Sequence, residues 1–160
     1  MIGISRHTDY AARIVLHLAL RKGDGLVTAG EIAKRRLIPP AFVRRIVSRL
    51  SAAGILKTTR GCGGGMALAR PASRISLLDV VVAMEGKVSL NACTAEPEDC
   101  PISPSCAVRK AWVKATNNLE AFLKGVNFSS LAKKGGEAAR QHPVGAKVPK
   151  ARSRSSRKEA

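Results

Sequence analysis

Three cysteines lie within fourteen residues in the second half of the chain, as Cys93, Cys100 and Cys106, with three prolines among them. Thiolates are soft ligands that suit iron–sulfur clusters and zinc, and thiols also form reversible disulfides. Six and five residues separate these cysteines, unlike the paired Cys-x2-Cys of zinc ribbons. The wide spacing favours an iron–sulfur core, while zinc or a thiol–disulfide switch stays the alternative.

The elements around this loop are basic, and the charge is unevenly distributed. The formal net charge is +17. Residues 1–74 hold 14 Lys and Arg against 3 Asp and Glu, residues 75–131 hold 5 against 6, and residues 132–160 hold 9 against 2. Such asymmetry predicts an anionic polymer, and nucleic acid first of all, as the partner.

Three helices are expected in the first part of the chain. A nearly all-round apolar helix follows Thr8 and Asp9, with Thr8 as its cap. A capping-box pattern at residues 28–31 opens a short helix. Two prolines at positions 39 and 40 begin a third helix, which Gly54 is placed to end.

A β-hairpin is expected after the third helix. Residues 55–59 and 66–69 are short strand candidates, and the glycine-rich segment 60–65 joins them. Three helices followed by a hairpin predict a mainly α fold of the winged helix-turn-helix class, occupying residues 1–75.

Residues 76–131 are expected to carry the thiol loop and a dimerisation helix. Ser76 caps a helix over about residues 77–85, and the thiol loop then runs from about residue 86 to Cys106. A helix over about residues 105–124 follows, with a long apolar stripe on one side. That stripe is too long for so small a region to cover, so we expect a homodimer that buries it.

Residues 132–160 are rich in Lys, Arg, Ser, Gly and Pro. Their apolar content is too low to form a core, so this segment is predicted to be a disordered basic tail. It either adds non-specific affinity for the DNA backbone or serves only to keep the protein in solution.

Six arginines are candidates for DNA contact. Arg44 and Arg45 stand near the start of the third helix, where a recognition helix meets base edges. Arg60 at the hairpin tip is placed to enter the minor groove. The residues expected to contact phosphates are Arg35, Arg36 and Arg49.

Other classes of protein fit the sequence poorly. None of the three histidines has an evident cysteine partner, and no paired carboxylate site stands out, so no catalytic residue is predicted and the chain is not expected to be an enzyme. No apolar run approaches the length of a membrane span, and the first residues do not look like a signal peptide. We therefore expect a cytoplasmic location, where thiols stay reduced.

Three segments resemble the Rrf2 family of winged-helix repressors, which includes IscR, NsrR and RirA. They are Thr8-Asp9-Tyr10-Ala11, Arg60-Gly61-x-Gly63-Gly64-Gly65 and Pro71-Ala72-x-x-Ile75-Ser76-Leu77-x-Asp79-Val80-Val81, and the resemblance runs over about residues 4–131. It implies a homodimer that binds pseudo-palindromic promoter DNA and carries one iron–sulfur cluster per protomer. The three clustered cysteines match the family's thiolate ligands.

The fourth ligand decides which branch of the family the chain resembles. IscR-like members use a histidine three residues after the last cysteine, and here that residue is Arg109, which cannot ligate. NsrR-like members use an aspartate that reaches across from the partner protomer, and Asp9 matches its position, although capping or a salt bridge would also explain it. The pattern is most similar to NsrR and favours a four-iron over a two-iron cluster.

The function expected from the sequence is that of a DNA-binding transcriptional repressor. Its iron–sulfur cluster would sense nitric oxide, redox state or iron status. The alternative is a winged-helix protein without a cluster, in which the three cysteines form a zinc site or a thiol–disulfide switch.

Overall fold

The structure is a computed structural model that describes residues 3–21 and 25–138. The elements in these ranges are α1 (Arg6–Leu20), α2 (Ala29–Arg36), α3 (Pro40–Ala52), β1 (Leu56–Thr59), β2 (Gly65–Leu68), α4 (Leu77–Glu85), α5 (Ala92–Ala95), α6 (Ala107–Gly125) and α7 (Phe128–Ala138). Three helices and a two-stranded hairpin therefore follow one another in the predicted order. None of the helices described is long and apolar enough to cross a bilayer.

Helix α1 begins one turn earlier than its sequence pattern suggested. Ser5 is the N-cap, and its hydroxyl accepts a hydrogen bond from the Thr8 amide at 3.3 Å. Thr8, predicted to be the cap, lies inside the helix, is 2% exposed, and donates its hydroxyl to the Glu85 carboxylate. Because Ser5 offers the same capping chemistry three residues earlier, the prediction that Thr8 caps the helix was wrong.

Helices α2 and α3 form the helix-turn-helix pair. The Thr28 hydroxyl caps α2 by accepting from the Glu31 amide at 3.2 Å. The turn between the helices is made at Leu37, whose φ of 53° lies in the left-handed region. Pro40 opens α3, and Gly54 adopts a φ of 66° just after the helix ends. Both ends of α3 are therefore fixed by residue types that suit those positions.

The wing is an antiparallel hairpin whose register pairs Leu56 with Leu68 and Thr59 with Gly65. Val27, which lies just before α2, forms an isolated antiparallel bridge with Met66 of β2. The two residues exchange backbone hydrogen bonds of 2.8 and 2.9 Å. A Cβ at Gly65 would lie 2.8 Å from the Val27 carbonyl oxygen. The close approach of the wing to the rest of the domain therefore requires glycine at that position.

One hydrophobic core spans residue 75, the predicted boundary between the winged helix-turn-helix region and the segment that follows it. Helix α1 contacts α3, α4 and α7, and the core includes side chains from all of them. The largest side chains that are fully buried are Phe128, Ile14, Ile32, Ile46, Leu50, Ile55 and Ile75. The winged region and the segment that follows it therefore share their packing.

Helix α7 was missed by the sequence interpretation. The Asn127 side chain accepts from the Ser130 amide at 2.9 Å, and the Phe128 side chain is 1% exposed. Backbone hydrogen bonds between residues 75–77 and 126–128 hold the start of the helix against the segment before α4. The tail predicted to be disordered from residue 132 is therefore helical as far as Ala138, and its residues 139–160 lie outside the described ranges.

Candidate nucleic-acid interface and thiol loop

The outer face of α3 carries the two arginines expected to meet base edges. Arg44 and Arg45 are exposed, while Val43 and Ile46 on the other face are fully buried. The apolar positions therefore fix the rotation of α3, and this rotation directs both arginines to solvent. Arginine forks on such a face match the two acceptors of guanine in the major groove.

Arg49 lies one turn further along α3 and is also exposed, but it contacts another helix. Its Nη1 donates to the carbonyl oxygen of Met84, in the last turn of α4, at 2.7 Å. The sequence led us to expect a phosphate contact for Arg49, and it did not predict this bond within the protein. A cation at the carboxyl end of a helix is favourable because the unpaired carbonyls there carry partial negative charge.

Arg36 is half-buried and points toward α1. Its Nε donates to Nδ1 of His17 at 3.0 Å, and His17 is 6% exposed. Burial, and then the positive charge of Arg36, lower the pKa of His17 below its ordinary value. A neutral imidazole accepts from Arg36, so these two residues stabilise the packing of α2 on α1 rather than presenting both charges to DNA.

Arg35 is the most accessible of the phosphate candidates on α2. Its side chain is 61% exposed and forms an ion pair with Glu31 at 3.4 Å. Glu31 also pairs with Arg21 at 2.9 Å. A surface pair of this kind contributes little to stability, so the guanidinium of Arg35 can exchange this partner for a phosphate.

The wing tip presents Arg60 and the free thiol of Cys62 to solvent. Gly61 and Gly63 take φ values of 104° and 85°, which only glycine adopts readily. The Gly64 amide closes the turn by donating to the Gly61 carbonyl at 2.9 Å. The tip is therefore a tight, narrow turn with an arginine at its start.

The thiol loop contains short ordered turns rather than an open coil. Cys93 lies in α5, and its thiol donates to the Asn91 side-chain oxygen at 3.0 Å. Cys100 follows the single turn of 3-10 helix at residues 97–99. Cys106 is the N-cap of α6, where its sulfur accepts from the Arg109 amide at 3.4 Å. All three thiols are free and half-buried.

Arg109 connects the two ends of this loop. Its amide donates to the sulfur of Cys106, and its Nε donates to the Cys93 carbonyl oxygen at 3.0 Å. This residue occupies the position at which IscR-like members use a histidine. Here its side chain supports the loop instead of offering a ligand.

The residue types of the loop fit an iron–sulfur cluster, since three free, half-buried thiols supply the donor chemistry that such clusters need. Within residues 3–21 and 25–138, no three His, Cys, Asp or Glu side chains are close enough to hold one metal ion.

Asp9, the candidate fourth ligand, lies on the first turn of α1. Its side chain is 49% exposed and forms an ion pair with Arg13 at 2.7 Å. An exposed carboxylate on a helix surface is available to a second protomer, whereas within this chain it belongs to no metal-binding group among the described residues.

The last turn of α4 is a contact point that the sequence interpretation missed. One carboxylate oxygen of Glu85 accepts from the Ser5 amide at 3.1 Å and from the Thr8 hydroxyl. Hydrogen bonding from the Ser5 side chain, then from the Thr8 side chain, lowers the pKa of Glu85. No pattern reveals these bonds, because 77 and 80 residues separate the partners in the sequence.

Helix α6 leaves much of its apolar stripe uncovered. Trp112 is 37% exposed, Val108 64% and Phe122 66%, while Leu123 at the far end is buried. Apolar side chains that stay exposed along one face are typical of a surface that binds another protein.

The sequence model of the Rrf2 family, described as iron-dependent transcriptional regulators, matches residues 4–134. The chain belongs to the Rrf2 family. A protein named aau3 from Rhizobium meliloti (strain 1021) is 35% identical over 131 residues, which are 81% of this chain and 84% of that protein. The regulator IscR of Xenorhabdus nematophila is 29% identical over 124 residues, covering 78% and 75% of the two chains.

Solved structures of Rrf2-type regulators share this fold. CymR, the global cysteine regulator of B. subtilis, matches with a TM-score of 0.70 at 26% identity, covering 84% of this chain and 98% of that one. IscR of T. potens matches with a TM-score of 0.69 at 24% identity, covering 90% and 94%. The mainly α winged helix-turn-helix class is thereby confirmed. The family model, IscR and CymR are all described as regulators, so the prediction that the chain is not an enzyme is confirmed as well.

Proposed function

We propose that this Rrf2 regulator is a repressor whose hold on promoter DNA depends on an iron–sulfur cluster bound by Cys93, Cys100 and Cys106. The observation that carries the proposal is the position of the thiols. All three are free and half-buried in one loop, and Cys106 is also the N-cap of the long helix α6. A ligand held by the loop is therefore connected directly to the helix with the exposed apolar face.

DNA recognition is assigned to the outer face of α3 and to the wing. Arg44 and Arg45 read base edges, Arg60 enters the minor groove, and Arg35 contacts phosphate. The exposure of these residues supports the assignment. Arg36 and Arg49 are reassigned to contacts within the protein, because their guanidinium groups donate to His17 and Met84.

The functional unit is a homodimer formed through α6. Val108, Trp112 and Phe122 supply the apolar contact, since they are exposed in the single chain. Two copies related by a twofold axis present two α3 helices to half-sites about one DNA turn, roughly 34–36 Å, apart.

The dimer also explains how Asp9 can serve as a ligand. Its carboxylate is exposed on α1, so in a dimer Asp9 would complete a ligand set of three thiolates and one carboxylate, which would hold a four-iron cluster. When bound, a cluster supplies a cross-link that nitric oxide, oxygen or iron shortage can break. Within this chain, Arg109 holds the Cys93 and Cys106 ends of the loop near one another, so that the thiols would be available to bind a new cluster.

Purification without oxygen tests the proposal. Non-haem iron, acid-labile sulfide and a visible absorption band are expected in the isolated protein, and nitric oxide is expected to bleach that band and release promoter DNA. A colourless protein loaded with zinc would instead favour a zinc site. A protein whose DNA binding follows only oxidation and reduction of its thiols would favour a disulfide switch.

Asp9→Ala tests the fourth ligand. The variant is expected to bind DNA measurably and to hold its cluster more weakly, seen as faster loss of visible absorbance on exposure to a chelator. Glu98→Ala is the matched control, because Glu98 is an exposed carboxylate within the loop itself. Equal iron content and equal chelator resistance in Asp9→Ala and the unaltered protein would remove Asp9 from the ligand set.

A further inference from the structure

We propose that Arg49 is a positioning residue that connects the recognition helix α3 to the last turn of α4, and that this connection makes the orientation of α3 depend on the state of the thiol loop. The inference rests on the proposed cluster-dependent function. It assigns to Arg49 a role in regulation instead of a contact with DNA.

The bond made by Arg49 lies next to the start of the thiol loop. Nη1 donates to the Met84 carbonyl at 2.7 Å, and Met84 is the last residue but one of α4. Gly86 follows with a φ of 86°, a left-handed conformation that ends the helix abruptly. The loop that carries the three cysteines begins there, so movement of its first residues acts directly on the carbonyl that holds Arg49.

The same helix turn is tied to α1 by a separate set of bonds. The Glu85 carboxylate accepts from the Ser5 amide and the Thr8 hydroxyl, both at the start of α1. Two adjacent residues of α4 therefore contact two different helices of the DNA-binding region. If the last turn of α4 rotates, it cannot keep both the bond from Arg49 and the bonds to Glu85 in their present geometry.

Space for a movement exists at this junction. A cavity of about 280 Å³ lies between the start of α1, α3 and the last turn of α4. His7, Arg45, Arg49 and Glu85 are among the residues that line it. A change in the angle between α3 and α4 would be accommodated in this open space beside Arg49. Arg45 borders the cavity and is a proposed base-reading residue, so such a change also moves a DNA contact.

Arg49→Met tests the inference, because methionine keeps an unbranched side chain as far as the position of Nε and removes the donor. The measured quantity is the ratio of DNA affinities of the cluster-containing and cluster-free forms, by fluorescence anisotropy under anaerobic conditions. The probe is a duplex that the unaltered protein selects from a random pool. We expect a ratio of about 5–150 for the unaltered protein, the range of typical allosteric coupling. Arg49→Met is expected to bring the ratio within about twofold of one, with iron content unchanged.

Arg44→Met is the matched control on the same helix. It removes an exposed arginine that makes no bond to α4, so it is expected to weaken both forms by the same factor and to leave the ratio unchanged. Arg49→Lys keeps a cationic donor and is expected to give an intermediate ratio, and it serves as the test variant if Arg49→Met does not fold. If Arg49→Met behaves like Arg44→Met, Arg49 contacts DNA and the inference is overturned. If the unaltered protein itself gives a ratio of one, the proposed function fails, and the inference fails with it.

Discussion

Replacing Cys106 by serine and by alanine separates two roles that the structure gives to this residue. Its sulfur accepts from the Arg109 amide at 3.4 Å as the N-cap of α6, and it is a proposed cluster ligand. Serine is among the preferred N-cap residues, whereas alanine offers no acceptor. Cys106→Ser is therefore expected to keep the cap and lose the cluster, and Cys106→Ala to lose both.

The size of the cap effect follows from the bond. Loss of an N-cap typically costs about 1 kcal/mol, within a range of about 0.5–2. Sulfur is a weak acceptor and the distance is long, so we expect about 0.5–1 kcal/mol for Cys106→Ala, or a decrease of about 1–4 °C in Tm for a chain of this size. Cys106→Ser is expected to melt at or slightly above the temperature of the unaltered protein.

The assay is thermal unfolding of the three proteins in their cluster-free form, followed by iron and sulfide determination after anaerobic reconstitution. Cys62→Ser is the matched control, because the Cys62 thiol is exposed at the wing tip. It is expected to change neither Tm nor iron content. Equal Tm values for Cys106→Ser and Cys106→Ala would contradict the capping role. Full iron and sulfide content in Cys106→Ser would contradict the ligand role.

Three further predictions follow from the structure. Arg44→Ala is expected to lose about 1–3 kcal/mol of binding free energy for a selected duplex and to relax the base preference. Arg35→Ala is expected to weaken binding to all duplexes alike and to reduce the slope of log affinity against log salt concentration by about 0.9. Competition titration measures both effects. A Cβ at Gly64 would clash with the Thr59 carbonyl oxygen, whereas one at Gly125 meets nothing within 4 Å. Gly64→Ala is therefore expected to lower the free energy of unfolding in urea by about 1–3 kcal/mol, and Gly125→Ala is not. His17 has a lowered pKa when folded and an ordinary one of 6.5 when unfolded, so the unfolded state binds more protons. The free energy of unfolding should therefore fall as the pH decreases from about 6.5 to the folded pKa. If the urea midpoint of His17→Gln depended on pH as much as that of the unaltered protein, this role of His17 would be contradicted.

The elements whose ends carry strong local signals were predictable from the sequence. Ser76 caps α4 as the sequence predicted, and it forms a reciprocal capping box with Asp79 through bonds of 3.1 and 2.7 Å. The wing and α3 likewise lie within a residue or two of the expected limits, because glycine and proline interrupt the chain there. Local backbone chemistry decides such boundaries, and a single sequence contains that information.

The contacts of individual charged residues were not predictable. Arg36 and Arg49 look like DNA-contacting arginines in the sequence, and only the packing of α2 on α1 and of α3 on α4 gives them partners within the protein. Helix α7 was missed because its stability comes from Phe128 packing in the core, not from the composition of the surrounding basic segment. Long-range packing decides these features, and no local pattern records it.

The central claim is that a cluster held by the three cysteines controls binding to DNA, and one measurement tests it directly. The affinity of a single anaerobic preparation for its selected duplex is determined before and after the cluster is removed by nitric oxide, with iron and sulfide measured on the same samples. We expect iron and sulfide in the first sample and an affinity at least about fivefold higher than in the second. Equal affinities, or a protein that holds no iron and no sulfide even after reconstitution, would contradict it.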